Sequence, residues 1–325
     1  MAKSYSSESN RDDIKPIFEE RFKEILGDDY DKFVKTILTP QRKSFRINSL
    51  KAKNSTRIIE SIKNKGIHIT KVPWCENSFF VDFDKESRTD LGNLIEHFNG
   101  EIYIQEATSM IPPELIDIPE KIDDKFKVLD MAAAPGSKTT QIAEKMKNRG
   151  IIIANELDYS RLGPLKMNLE RAGIINSIIT NGDGRKITGE ESFDRILLDA
   201  PCSGSGVIRK SPRTLKTYNP KKLKGMKNLQ KKLLSRAFEL LKRRGIMVYS
   251  TCSLDPEENE ICIKEFLEEN PNASIETINI NMKRTNLIKK FNNIEIPKIV
   301  YSNTLRVWPQ DNDTNGFFVA KIRKD

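Results

Sequence analysis

Two of the four cysteines stand where packing does not call for a thiol. Cys202 follows Asp199 and Pro201 in LLDAPCSGSG, and Cys252 lies in VYSTCSLDPEENE. Both come directly after apolar runs, among Ser, Pro and Gly, and a thiol in such a setting reads as a nucleophile or its partner. Cys75 and Cys262 read as small, inert hydrophobes. Three more acids end apolar runs: Asp130 in VLDMAAAPGSKT, Glu156 in IIIANELD and Asp183 in TNGDGR. A carboxylate at Glu156, twenty residues after Gly136, can accept both ribose hydroxyls of a nucleoside cofactor, and one at Asp183 can take the exocyclic amine of adenine. Each acid alone is an ordinary turn carboxylate, so the signal lies in the ordered set. Between the first two lies a loop of Ala132, Ala133, Ala134, Pro135, Gly136, Ser137 and Lys138 that opens a helix. Small side chains let a ligand approach the backbone, and a helix start offers unpaired N–H groups. The loop matches neither G-x-G-x-x-G nor the phosphate-binding G-x-x-x-x-G-K-[ST], and a close strand-to-helix turn would also account for it.

The elements that must position these residues begin at Phe126. Short apolar strands (126–129, 151–154, 177–180, 195–198, 246–249) alternate with helices from Ser137, from Tyr159, through Leu241 and over 257–267. This alternation predicts an α/β fold with a parallel, doubly wound sheet, whose ligands bind beyond the carboxyl ends of the strands. Neighbouring strands lie ~4.8 Å apart, so Asp199, Cys202 and Cys252 converge on one small volume. A last strand over 316–322 reads as an antiparallel addition at the sheet edge. Ahead of this region, residues 1–10 read as frayed. A helix over 12–26 stopped by Gly27, a strand over 45–48, a helix over 56–65 and a strand over 79–83 then make a small α+β domain. The division is 1–95 for the N-terminal domain and 96–325 for the catalytic domain.

With 325 residues, 37% hydrophobic and 31% charged, the chain is no disordered protein. No apolar run reaches the ~18–20 residues of a membrane span, and no apolar segment follows the polar start, so neither membrane insertion nor secretion is expected; a cytoplasmic location, which the cysteine usage below suits, and a monomer are the expectations. The cysteines form no C-x-x-C pair and only His68 and His97 accompany them, so neither a zinc site nor a disulfide framework is expected. Charge is uneven. Fourteen basic residues between Arg209 and Arg244 face the single acid Glu239, which leaves the remainder of this +9 chain mildly acidic. Such a stripe suits a polyphosphate partner through counterion release, or is a solvated lysine-rich helix face.

The segments SFRINSLK, YIQEATSM, AAAPGSKT, DAPCSGSG, STCSLDPEENE and RVWPQDNDTNGFFVAKI together resemble the Sun/Fmu (RsmB-type) family of RNA cytosine-5 methyltransferases, from about residue 44 to the end. The resemblance implies a Rossmann-like methyltransferase sheet, S-adenosylmethionine as donor, and an N-terminal RNA-side domain carrying Arg46, Asn48 and Lys51. It further implies that residues 132–138 form the cofactor loop, Glu156 the ribose acceptor and Asp183 the adenine contact. Asp199 is then a catalytic acid near both ligands, Cys252 the nucleophile and Cys202 the residue that assists release. DNA enzymes attack from the proline–cysteine motif instead, so Cys252 points to RNA, with tRNA the first choice and ribosomal RNA the alternative. A non-catalytic RNA-assembly factor with a relict cofactor pocket is the competing class. The chain departs from the family pattern at Ala132 (usually Cys), Ser137 (usually Gly) and Gln310 (usually His).

Overall fold

The structure, a computed structural model, describes residues 11–83 and 90–325, so the frayed start expected over 1–10 lies outside the described residues. Runs such as Ile151–Ile153 and Ile196–Leu198 are apolar without alternation because their strands are covered on both faces. They belong to an eight-stranded sheet formed by β5 (Lys127–Asp130), β6 (Ile151–Glu156), β7 (Ser177–Asn181), β8 (Phe193–Asp199), β9 (Leu241–Thr251), β10 (Ala273–Glu276), β13 (Leu305–Val307) and β14 (Phe317–Lys324). The order across it is β10-β14-β9-β8-β5-β6-β7, with β13 paired to β14. Strands β5 to β9 pair in parallel, the Rossmann-like methyltransferase arrangement expected. The last strand is antiparallel as expected but is not the edge: β14 lies between β9 and β10 and pairs with both. A short hairpin of β11 (Lys290–Phe291) and β12 (Ile294–Glu295) stands apart.

The small domain holds a second, antiparallel sheet of β1 (Lys43–Ile47), β2 (Ile67–Lys71), β3 (Ser78–Phe83) and β4 (Ile102–Ile104), in the order β2-β3-β1-β4. Its own core gathers Phe45, Ile58, Ile62, Phe79 and Ile102, with the helix Ser55–Asn64 laid on the sheet. Because β4 belongs here, this sheet extends past residue 95. The helices Pro16–Leu26 and Tyr30–Ile37 behave differently from the rest of the N-terminal region. Their apolar stripe, Phe18, Phe22, Phe33 and Ile37, joins the core of the large sheet. Phe22 stacks on Phe33 at 5.4 Å, and Phe33 meets Trp308 edge-on at 6.0 Å.

Two residues expected on the RNA side instead join the domains. Arg46 on β1 is 2% exposed, and its guanidinium donates to Gln105 (3.0 Å) and binds Glu144 and Thr140 of the helix that follows the 132–138 loop. Asn48 is equally buried and donates to the carbonyls of Gly100 (2.9 Å) and Ala172 (2.8 Å). A buried guanidinium is tolerated only with such partners, so neither residue is available to RNA, whereas Lys51 is exposed. Among the described residues no helix is long and apolar enough to cross a membrane. Because Phe22 is wholly buried in the main core, Phe22→Ala should lower the unfolding free energy of the unit carrying the large sheet by about 3–5 kcal/mol. Urea unfolding followed by fluorescence checks this, and a change confined to a separate minor transition would contradict it.

Candidate active site

The parallel register sets Asp199, the last residue of β8, opposite Ser250 of β9, so the two following loops leave the sheet side by side. Asp199 Oδ1 accepts from Ser250 Oγ (2.7 Å) and Oδ2 pairs with Lys138 Nζ (2.6 Å). The Sγ atoms of Cys202 and Cys252 lie 3.0 Å apart as free thiols. Glycines allow this closeness. Gly206 N donates to the carbonyl of Cys252 (2.9 Å), Gly316 N donates to that of Gly206 (2.8 Å), and a Cβ on Gly206 would sit 2.4 Å from the Gly316 oxygen. Three loops, after β8, after β9 and before β14, are thereby stitched together.

Beneath the thiols lies a buried polar network that the motifs alone did not assign. Glu258 accepts from the Ser203 amide (2.9 Å), the Ser203 hydroxyl (2.5 Å) and Gln230 (2.8 Å), while Gln230 also donates to the Pro201 carbonyl (2.9 Å). Asn259 accepts from Thr251 Oγ1 (2.6 Å) and donates to the Ser253 carbonyl (2.9 Å). Arg306 and Glu260, each 2% exposed, form a two-pronged pair, and Arg306 also donates to the Leu254 carbonyl (2.8 Å). The signal was the DPEENE run, whose acids and amide are too dense after a strand to be a solvated turn.

The 132–138 loop crosses from β5 into the helix Ser137–Lys145. Gly136 begins that helix at φ +101°, where a side chain would be strained, and a Cβ would press on Leu165 at 3.0 Å. No side chain caps the helix start, which leaves its first N–H groups to a ligand or solvent. Beside the loop a cleft of about 600 Å³ takes in Ala134, Pro135, Ser137, Lys138, Asp199 and Cys252. Its other walls include Tyr103, Arg171, Asn315 and Phe317, whose individual roles the motifs do not reveal, and Lys210 of the basic stripe. Cys202, Ala132, Ala133, Gly136, Glu156 and Asp183 do not line it. Glu156 is buried at the end of β6, accepting from the amides of Ala134 (3.2 Å) and Asp158 (2.9 Å) beside Arg161. Asp183 is engaged on the surface by Arg185, whose side chain contacts both carboxylate oxygens and holds its pKa down at about 2. Of the basic stripe only Lys210 lines the cleft.

Charges around the cleft are coupled. Burial opposes the Lys138 ammonium, but Asp199, with Asp130 and Cys252 beyond it, raises its pKa, so it remains a cation. The hydrogen bond with Cys252, together with burial, pushes the Cys202 thiol well up. Burial raises Asp130 to about 6 despite a bond from Thr139 Oγ1 (2.7 Å), and its Oδ1 has no partner. The folded pKa of Asp130 exceeds the unfolded value of 3.8, so folding takes up a proton. The stability it confers is complete below about pH 4 and is lost as pH rises through about 6. Asp130→Asn should therefore stabilise the protein above pH 6 by about 2–3 kcal/mol and flatten the pH dependence between 4 and 6, as urea titrations at several pH values would show.

Comparison with known proteins agrees with this geometry. Residues 119–323 match the family model described as 16S rRNA methyltransferase RsmB/F, and residues 14–107 match the N-terminal domain of 16S rRNA methyltransferase RsmF. The chain is 43% identical over 298 residues to ribosomal RNA small subunit methyltransferase F of Shewanella piezotolerans, covering 90% of this chain and 60% of that protein. It is 41% identical over 295 residues to its namesake in Vibrio cholerae, covering 90% and 59%. It thus spans about 60% of the length of these curated relatives. Among solved structures, a methyltransferase homolog protein from Pyrococcus horikoshii superposes with a TM-score of 0.81 at 34% identity, covering 95% of both chains. NSun6 from the same organism, at 24% identity and a TM-score of 0.78 over 94% of this chain and 97% of that one, shares the fold. The chain belongs to the RsmB/F methyltransferase family, as its motifs led one to expect.

Proposed function

We propose that this chain methylates carbon 5 of a cytidine in small-subunit ribosomal RNA, with S-adenosylmethionine as donor. The observation that carries the reading is the pair of thiols 3.0 Å apart beside the Asp199–Lys138 ion pair, with one thiol, Cys252, on the cleft. The names of the relatives shift the choice of RNA from tRNA, favoured by the sequence, to ribosomal RNA. The residues present fit the donor: the glycine-pinched loop at Gly136 leaves uncapped helix N–H groups beside the cleft. Ala134, Pro135 and Ser137 would hold it; Glu156, buried on the Ala134 and Asp158 amides, does not line the cleft, and the Arg185 pair competes with the adenine contact expected of Asp183. When bound, S-adenosylmethionine supplies an electrophilic methyl group. Carbon 5 of cytosine is too electron-poor to accept one unaided.

In this reading Cys252 adds as a thiolate at carbon 6 and makes carbon 5 nucleophilic. Asp199, oriented by Ser250 and Lys138, holds a proton at ring nitrogen 3 and stabilises the charge that develops on addition. After methyl transfer a base must take the proton from carbon 5, so that the 5,6 double bond re-forms and the Cys252 sulfur leaves as a thiolate; we assign this release to Cys202, whose sulfur lies 3.0 Å from that of Cys252. The base must leave its stack to reach Cys252.

Incubation with small ribosomal subunits lacking the modification and with radiolabelled donor should place label in 5-methylcytosine. Absence of label despite donor binding would leave the assembly-factor reading. Cys252→Ala should lose turnover and form no protein-linked RNA, whereas Cys202→Ala should stall as a covalent complex, visible as a shifted band on a denaturing gel. The reverse pattern would exchange the two roles. The stripe contributes unevenly: Lys227, Lys231, Arg236 and Lys242 are held by acids, while Lys221, Lys222 and Lys224 are exposed and form no ion pair among the described residues. Charge reversal of those three should weaken RNA binding and reduce its salt slope by roughly one for each phosphate no longer neutralised, with donor affinity unchanged. Filter binding at several salt concentrations measures both.

A further inference from the structure

A second cavity of about 370 Å³ adjoins the catalytic cleft. Ile104, Gln105, Glu106 and Lys210 line both spaces, so one wall divides them. That wall is rigid. Gln105 accepts from the buried Arg46 (3.0 Å) and donates to Gln141 (3.1 Å) and the Ser109 carbonyl (3.0 Å). Lys210 follows Arg209, which is fixed by Asp313 (2.7 Å) and by the carbonyls of Pro40 (2.8 Å) and Thr314 (3.1 Å). Two polar side chains of this cavity remain free. The Lys210 ammonium and the Gln41 amide make no hydrogen bond or ion pair among the described residues. Ile104 adds apolar surface.

We propose that this second cavity receives the nucleotide next to the target cytidine in the RNA chain, with Lys210 on the phosphate that joins the two. The inference rests on the methyltransferase reading above. Its volume falls within the ~300–1,000 Å³ range of small-ligand sites. Extruding the target base strips its neighbour of a stacking partner, and the half-buried Ile104 side chain offers part of that contact in return. The Gln41 amide offers a donor and an acceptor to a base edge, and the free Lys210 ammonium, which shares the dividing wall with the Glu106 carboxylate, suits a bridging phosphate.

The test uses a small-subunit rRNA fragment containing the mapped target cytidine, made intact or with an abasic nucleotide immediately 5′ or immediately 3′ to it. With the wild-type chain, one of the two abasic positions should lower kcat/KM by about tenfold, the scale of one base–protein interaction. A Gln41→Ala, Lys210→Ala double variant should lose a similar factor on intact RNA through KM. It should then be nearly indifferent to the abasic position that mattered, while donor binding is unchanged. Equal abasic penalties in the wild type and the variant, or no penalty on either side, would overturn the subsite and leave the methyltransferase reading standing. Intact RNA that acquires no label with the wild-type chain would remove both readings together. A variant that weakens small-subunit binding without altering the abasic penalty would show the cavity to be a protein-docking surface and would likewise overturn the proposal.

Discussion

The Asp199–Lys138 ion pair is the contact on which the site depends. It ties the loop after β5 to the end of β8, and through Ser250 it reaches β9, so three strand ends are held by one carboxylate. Such a pair is weak evidence of stability, because desolvating two ions offsets much of their attraction. Its value is positional. Lys138 keeps its proton because of Asp199, and Asp199 keeps its orientation because of Lys138 and Ser250. Removing either partner would leave an uncompensated charge beside Cys252.

The small domain contributes to the same geometry from the other side. Arg46 reaches out of the small sheet to Glu144 and Thr140 on the helix that starts at Ser137, and it also holds Gln105 on the cleft wall. One guanidinium therefore couples the loop to the wall opposite. Asn48 repeats the arrangement at the carbonyls of Gly100 and Ala172. The domain junction is made of buried polar contacts with directional geometry, which fix the separation of the cleft's walls more tightly than apolar packing would.

The parallel sheet and the convergence of Asp199, Cys202 and Cys252 were legible because they are local properties: an apolar run, a strand end, a small-residue loop. What could not be read depends on partners distant in sequence. Arg46 looks like a surface cation until Glu144 is brought to it. Phe18, Phe22 and Phe33 form an amphipathic stripe whose period reveals a helix but not which core it faces, and it faces Trp308. The antiparallel sense of β14 was legible, but its place inside the sheet is a matter of topology, because nothing local shows that β10 pairs on its far side. Glu258 and Asn259 were seen as letters of a motif, whereas their work is to hold Ser203 and Ser253 around the thiols.

The basic stripe shows the same distinction in charge. Counted along the sequence, its fourteen cations suggest one continuous contact with a polyphosphate. In three dimensions the helix Leu223–Leu240 lies against the helix Glu260–Glu269, and Lys227 and Lys231 are taken up by Glu265 and Glu269. Arg209 is buried on Asp313, Lys216 meets Asp13, Arg236 meets Glu190 and Glu239, and Lys242 meets Asp194. Cations already neutralised by the fold release few counterions when a phosphate approaches, so the effective footprint is set by those left over. These include Lys210 at the cleft and the exposed group Lys221, Lys222 and Lys224, separated by the helix Arg213–Thr217. Under the proposed function, a surface of this kind would grip the RNA backbone at separated points and leave the nucleotides between them free to be drawn toward Cys252.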